Sequence, residues 1–367
     1  MAGLLVAPRF RWSALGEVYT AIGFVVSPTL GGLPPVPGSA REVPPWLLAA
    51  EVLGRIAAAL GERRRGFPER EELRPSPRGG IRWGRWASEQ LPRGDWARFP
   101  CRYSEPGEDP QLLAGLRWTL GRLRESLSEV AWSTPSRILL ERARRLAHRI
   151  GPGPEERPAP DWRLPLAGER LRAALEAMGW VAEERGLGGS RALDGLAWDV
   201  SVDAVWEAWV VAFGRELGPR LGLVPSEFRS VRRPLRWQGA ARSMGFLAPD
   251  LELRGRDRIV WIDAKYKAHL SRLARGGWES LAPDEAAAHR ADLHQALAYA
   301  ALADAPRVDS ILAYPELGSG EAMLRSVATV VSGRRIVRLA LASLPFGFRS
   351  AAHREHSLAD WRELLSD

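Results

Sequence analysis

Residues 251–267 read LELRGRDRIVWIDAKYK, and this stretch decides the fold. Its two halves predict β-strands that are joined by a tight turn near Gly255. The second half is continuously apolar in IVWI, which is typical of a strand that is covered on both faces of a sheet. The sequence therefore predicts a hairpin whose second strand lies in the middle of a sheet.

Acidic and basic side chains at the ends of these strands predict a catalytic site. Because residues two apart in a strand point to the same face, Asp263 and Lys265 project together. An antiparallel return of the chain would also bring Asp250, which precedes the first strand, beside Asp263. Two carboxylates and one ammonium suit a hard divalent cation, Mg²⁺ or Mn²⁺, that lowers the pKa of a bound water molecule.

Lysine usage points to the same position. The chain has 52 Lys plus Arg residues, yet Lys265 and Lys267 are its only two lysines. An arginine stays protonated, whereas a lysine can orient the attacking water or shift its own pKa to help deprotonate it. We therefore expect a chemical role for Lys265, and a contact with DNA phosphate for Lys267.

The flanking segments predict an α/β domain around the hairpin. An apolar stripe between Val202 and Leu217 predicts a helix before it. Residues 285–303 predict an alanine-rich helix after it, and ILAYP at 311–315 predicts another buried strand.

The pattern Pro-Asp, spacer, Asp-X-Lys resembles the PD-(D/E)XK nuclease superfamily. That resemblance implies a restriction-endonuclease-like mixed sheet flanked by helices, with Glu207 in AVWEAWV as a third metal ligand. Gln295 and Tyr299 in DLHQALAYA resemble the Gln-X-X-X-Tyr motif of RecB-like nucleases, which implies that they support the catalytic core. The alternatives are a solvated Glu207, and ordinary helix surface and core at Gln295 and Tyr299.

A closer resemblance covers about residues 195–320. The order of its motifs is similar to that of McrC-type restriction subunits: WDVSVDAVWEAWV, APDLEL, IVWIDAKYK, ADLHQALAYA and SILAYP. It implies a metal-dependent DNA endonuclease that works with an AAA+ NTPase ring in a restriction or antiphage defence system. The chain has no Gly-Lys-Ser/Thr phosphate loop, so we expect the partner to hydrolyse the nucleotide. The alternative is a catalytically silent nucleic-acid-binding or assembly subunit that retains the nuclease fold.

Composition along the chain predicts its domain organisation. We expect an N-terminal mixed α+β domain at 1–150, a Pro/Gly-rich linker at 151–163, a helical connector at 164–194 and the nuclease domain at 195–367. Within the first domain, helices are expected at 46–60 and 111–148, with short strands and loops at 61–110. Its Trp- and Arg-rich segments fit a partner-docking surface or a DNA-binding surface, and many of its tryptophans fit a core.

Charge and cysteine content restrict the function classes further. A net charge of +8 favours a polyanionic partner, and Arg232, Arg233 and Arg236 are candidate DNA contacts whose alternative is a solvated basic loop. The single cysteine, Cys101, excludes disulfides within the chain and cysteine-based metal clusters. With no apolar run that would cross a bilayer and no signal peptide, we expect a cytoplasmic protein without a membrane partner.

The six histidines are scattered along the sequence. A metal site at His353 and His356 would need carboxylate partners that the sequence does not place nearby. His269 follows the lysine strand and is expected in a solvated loop.

Overall fold

The structure, a computed structural model, describes most of the 367 residues. The described residues are 12–26, 29–30, 36–37, 45–61, 65–66, 69–104, 107–159, 162, 167–183, 194–195, 198–227, 232–235, 238, 244–267, 269–316, 323–332 and 335–366.

The chain forms two compact units. The middle unit comprises residues 28–198, and the sheet unit combines residues 1–27 with 199–367. These boundaries differ from those predicted at 1–150 and 195–367, because the first helix, α1 (Trp12–Ala21), packs in the sheet unit. Ala14 of α1 contacts Gly347, and Glu17 accepts a hydrogen bond from the backbone of Phe348 at 2.6 Å.

The middle unit combines four long helices with short strands. Its elements are β1 (Thr29–Leu30), β2 (Val36–Pro37), α2 (Pro45–Gly61), β3 (Arg65–Gly66), β4 (Glu69–Arg74), β5 (Gly80–Ile81), α3 (Trp83–Arg85), β6 (Phe99–Ser104), β7 (Gly107–Glu108), α4 (Pro110–Glu129), α5 (Thr134–Ile150), α6 (Glu169–Ala182), β8 (Asp194–Gly195) and, at its boundary, β9 (Trp198–Asp199). A π-helical turn at Trp86–Gln90 and a 3-10 turn at Leu91–Arg93 lie between α3 and β6. Strands β4, β6 and β5 form an antiparallel sheet, and α2, α4, α5 and α6 pack on one another.

Local capping explains how the helical stretch 111–148 divides in two. Asp109 caps α4 by accepting hydrogen bonds from the backbone of Gln111 and Leu112. Ser133 caps α5 by accepting one from the backbone of Ser136, and a proline stands in the first turn of each helix. The predicted helical region is therefore two helices with a short connection at 130–133.

The Pro/Gly-rich segment that the sequence predicts as a linker packs along α4. The Arg117 side chain donates to the carbonyl of Gly151 at 2.9 Å, and the Glu156 backbone donates to that of Ala114 at 3.2 Å. Pro158 is buried. Such a composition disfavours helix and strand, but it does not prevent tight packing.

The sheet unit contains the six-stranded mixed sheet. Its elements after α1 are α7 (Val202–Arg220), β10 (Val224–Glu227), β11 (Arg233–Pro234), β12 (Phe246–Leu247), β13 (Leu251–Arg254), β14 (Arg258–Ala264), α8 (Leu270–Gly276), α9 (Pro283–Ala301), β15 (Arg307–Pro315), β16 (Arg325–Ser332), β17 (Arg335–Leu344) and α10 (Ala351–Ser366). The strand order is β10-β13-β14-β15-β17-β16. Strand β14 pairs antiparallel with β13 and parallel with β15, so the predicted hairpin and its central second strand are confirmed.

Helices flank both faces of this sheet. Helix α7 approaches so closely that a Cβ atom at Gly214 would lie 2.1 Å from Leu251 Cδ2, which explains the glycine. On the other face, Tyr299 of α9 packs edge-on against Trp261 in a buried cluster that includes Val308. The predicted fold class, a mixed sheet flanked by helices in the C-terminal half, is confirmed. In the part of the chain that the structure describes, no helix is long and apolar enough to cross a membrane.

Candidate active site

The two aspartates of the predicted site face each other across the β13–β14 hairpin. Leu251 pairs with Ile262, and the same register continued by one residue places Asp250 opposite Asp263. Asp263 is buried near the end of β14, and Asp250 is partly buried just before β13. The backbone of Ala264 donates a 2.7 Å hydrogen bond to Asp250 Oδ2, which fixes this carboxylate against the adjacent strand.

Burial makes both carboxylates reluctant to ionise. It raises the pKa of Asp250 to about 8, and the negative charge of Asp263 contributes in the same direction. Burial also raises the pKa of Asp263, against the opposing effect of Lys265. A cation bound between these two carboxylates would favour the ionised form of both.

Lys265 connects this pair to helix α9. Its Nζ lies 2.6 Å from Asp263 Oδ2 and donates a 2.8 Å hydrogen bond to Gln295 Oε1. The amide of Gln295 in turn donates to Tyr299 Oη at 2.6 Å. Burial raises the pKa of Tyr299, so its hydroxyl stays protonated. The structure therefore brings together Asp263, Lys265, Gln295 and Tyr299, as the sequence predicts.

Glu207 supplies a third carboxylate from the opposite face. It is exposed on α7, so a ligand can reach it. Its pKa is raised first by partial loss of hydration and then by the charge of Asp263, which places the two acids within electrostatic range. Three carboxylates around the single ammonium of Lys265 would carry a net charge of about −2 when ionised, a balance that suits a divalent cation.

Lys267 has an internal partner that the sequence did not reveal. It was expected to contact phosphate, but its Nζ donates to both oxygens of Asp292, at 2.8 and 2.6 Å. Asp292 is buried on α9, and its Oδ1 lies 3.8 Å from the Nζ of Lys265. The sequence did contain one indication of this role for Asp292. It stands three residues before Gln295, and residues three apart share a helix face.

The candidate DNA-contacting arginines fall into different environments. Arg232 is exposed, and its guanidinium lies 4.4 Å from the ring centre of Phe246. Arg233 is ion-paired at 3.3 Å with the buried carboxylate of Glu252, so its charge is at least partly neutralised within the protein. Arg236 lies outside the described residues.

His269 is not the solvated loop residue that the sequence suggests. It is buried, and its Nε2 lies 3.1 Å from Nδ1 of His289, which is also buried. The hydroxyl of Tyr314 lies 3.4 Å from the same His289 nitrogen. The partner comes from another helix, 20 residues further along the chain, which explains why spacing gave no indication of the pair.

The fold and the site together define a mixed α/β sheet that carries a buried aspartate pair and a lysine at the end of its central hairpin. Two solved structures are similar to the chain. One is a refined half-complex from the tetradecameric assembly of Thermococcus gammatolerans McrB AAA+ hexamers with bound McrC, at 13% identity and a TM-score of 0.41 over 98% of this chain and 78% of that one. The other is the cryo-EM structure of the T. gammatolerans McrBC complex, at 14% identity and a TM-score of 0.29 over 47% and 48%. No protein-family model and no curated protein matches the chain.

Proposed function

We propose that the chain is a Mg²⁺- or Mn²⁺-dependent DNA endonuclease of the PD-(D/E)XK type. The observation that carries this proposal is the convergence of Asp250, Asp263 and Lys265 at one end of the β13–β14 hairpin. The lysine lies 2.6 Å from Asp263, and burial raises the pKa of both aspartates. A purely structural ion pair would need only one of these two acids.

The donor type, carboxylate oxygen, is the one that a hard divalent cation prefers. Asp250, Asp263 and Glu207 would hold it, because all three offer carboxylate oxygen and the pKa of each is raised in its absence. When bound, such an ion acidifies a water molecule and neutralises charge that develops on a phosphodiester. Equal cleavage in Ca²⁺ and Mg²⁺ would speak against this mechanism, because Ca²⁺ binds with looser geometry.

The protein's own residues position the reactants. Lys265 orients the attacking water and can donate or accept its proton, a role that an arginine cannot share. Gln295 holds the lysine ammonium at 2.8 Å, and Tyr299 orients the amide of Gln295. Lys267 forms an ion pair with Asp292 beside this group. The two lysines therefore have different principal partners, Asp263 for Lys265 and Asp292 for Lys267.

We further propose that the chain acts with an AAA+ NTPase ring in a restriction or antiphage defence system. Support comes from the order of motifs at 195–320, which resembles that of McrC-type subunits. The ring would hydrolyse the nucleotide and this chain would cut DNA. The net charge of +8 suits a subunit that contacts a polyanion.

The test is cleavage of plasmid DNA by the purified chain with Mg²⁺, alone and with a candidate AAA+ partner protein from the same organism. We expect cutting by the wild type and by Asp284→Asn, which changes an exposed aspartate of α9. Asp263→Ala and Lys265→Ala should abolish it. Unchanged cutting by both alanine variants would overturn the assignment, and silence of the wild type with its partner would favour an assembly subunit.

A further inference from the structure

A second cluster of potential metal ligands lies next to the proposed catalytic group. We propose that His269, His289 and Asp292 bind a transition-metal ion of the Zn²⁺ class, separate from the site for Mg²⁺. This proposal does not depend on the nuclease activity, because it rests on the positions of three side chains that are not among the proposed Mg²⁺ ligands.

Two segments of the fold build the cluster. His269 immediately precedes α8, while His289 and Asp292 stand three apart on one face of α9. All three are buried, with exposed fractions of 4%, 3% and 5%. One ligand atom from each lies within 4.8 Å of the others, and the two histidine nitrogens are 3.1 Å apart.

These distances suit a tetrahedral ion. Zinc bonds of about 2.0–2.1 Å place neighbouring ligand atoms roughly 3.3 Å apart, which is close to the observed histidine spacing. Tyr314 Oη lies 3.4 Å from His289 Nδ1 and is a further polar group beside the cluster. The ligand atoms, which lie within 4.8 Å of one another, would have to close in around a bound ion.

The donor types select the class of metal. Two imidazole nitrogens with one carboxylate favour borderline ions such as Zn²⁺, whereas Mg²⁺ prefers oxygen throughout. Both imidazoles are buried, and it is the neutral form of the ring that binds a metal ion.

The ion would brace the segment that holds the catalytic lysine. Asp292 already accepts hydrogen bonds from Lys267, so a metal would share this carboxylate with the lysine. It would thereby tie the segment after β14 to α9, the helix that carries Gln295. In the competing explanation no metal binds, and the cluster exists because a hydrogen bond joins the two imidazole rings.

The experiment measures Zn²⁺ binding by the full-length chain. Chelator-stripped protein is titrated with Zn²⁺ in excess Mg²⁺, the bound metal is counted by elemental analysis, and Co²⁺ is used as a spectroscopic probe. We expect one Zn²⁺ per chain and the visible absorption of four-coordinate Co²⁺. His289→Gln and Asp292→Asn should weaken binding by more than about 100-fold, since loss of even an outer-shell partner costs 10–100-fold.

Two control variants locate the ion. His356→Gln changes an exposed histidine whose side chain is 69% accessible, and Asp263→Ala removes a carboxylate of the other site. Both should still bind one Zn²⁺, and circular dichroism would verify that every variant is folded. Absence of stoichiometric Zn²⁺ in the wild type, or binding that survives His289→Gln and Asp292→Asn but is lost in Asp263→Ala, would overturn the proposal.

Discussion

Asp250 gives the metal-free protein an unusual dependence of stability on pH. Its pKa of about 8 in the fold exceeds the ordinary value of 3.8, so the folded state binds the proton more tightly than the unfolded chain. The stability that this proton contributes is complete below about pH 4 and is lost as the pH rises towards 8. The raised pKa of Asp263 acts in the same direction.

We therefore predict that Asp250→Asn stabilises the metal-free protein strongly at pH 8 and much less at pH 5. The neutral amide avoids the burial of charge that the ionised aspartate suffers. Urea denaturation at the two pH values, in the presence of chelator, measures this difference. A variant that is less stable than the wild type at pH 8 would show that Asp250 is stabilised as an anion.

Lys265→Arg tests the choice of lysine at the residue scale. We expect DNA cleavage to fall by about 100-fold or more, because proton transfer by a positioned group contributes about 10²–10⁴-fold. Mg²⁺ binding should persist, since the carboxylates remain. Cleavage rates and calorimetric Mg²⁺ titrations of the same preparation separate the two effects. A fully active arginine variant would show that Lys265 contributes only its positive charge.

The relative placement of residues could be predicted where it needed only local geometry. The alternation of a strand places Asp263 and Lys265 on one face, and a hairpin register brings in Asp250. Asp292 and His289 could not be predicted in the same way, because their partners come from another element. That information depends on how α9 packs against the sheet.

At the scale of elements, a second polar cluster lies at the opposite end of the parallel strands. Asp309 of β15 is buried and accepts a 2.6 Å hydrogen bond from the guanidinium of Arg258 in β14. Arg338 of β17 lies 3.3 Å and Arg307 lies 3.7 Å from its carboxylate. One acid thus connects the three adjacent strands β14, β15 and β17.

Removal of that acid should loosen the sheet. We predict that Asp309→Ala destabilises the protein by about 3–5 kcal/mol, because it leaves three partly buried guanidinium groups without a counter-ion. The control is Asp304→Ala, whose exposed pair with Arg254 at 3.1 Å should contribute less than about 1 kcal/mol. Urea unfolding of both variants gives the comparison. Equal losses would mean that the cluster has no special structural role.

A helix or strand could be predicted where its signal lies within its own stretch of sequence. Helix α2 and the strands β13, β14 and β15 follow from hydrophobic periodicity and turn residues. The position of β17 beside β15 could not be deduced, because parallel neighbours are joined by long crossovers and pair through contacts distant in sequence. Helix α1 joins the sheet unit through contacts with residues more than 300 positions away.

At the scale of the whole molecule, a cation bound between the aspartates should stabilise one unit and leave the other unchanged. We predict that Mg²⁺ or Mn²⁺ slows amide hydrogen exchange in β13, β14 and the first turns of α7. Exchange in α2 and α4–α6 of the middle unit should stay the same. Mass spectrometry of peptides from the intact chain measures both. Protection confined to the middle unit would place the ion elsewhere.

In the proposed mechanism, Asp250 and Asp263 together hold a divalent cation beside Lys265. Its most direct test is a crystal structure grown with Mn²⁺, in which anomalous scattering locates the ion. We predict a peak within bonding distance, about 2.0–2.6 Å for hard cations, of a carboxylate oxygen from each aspartate. A fully occupied Mn²⁺ at another position, with these two side chains unliganded, would contradict the account.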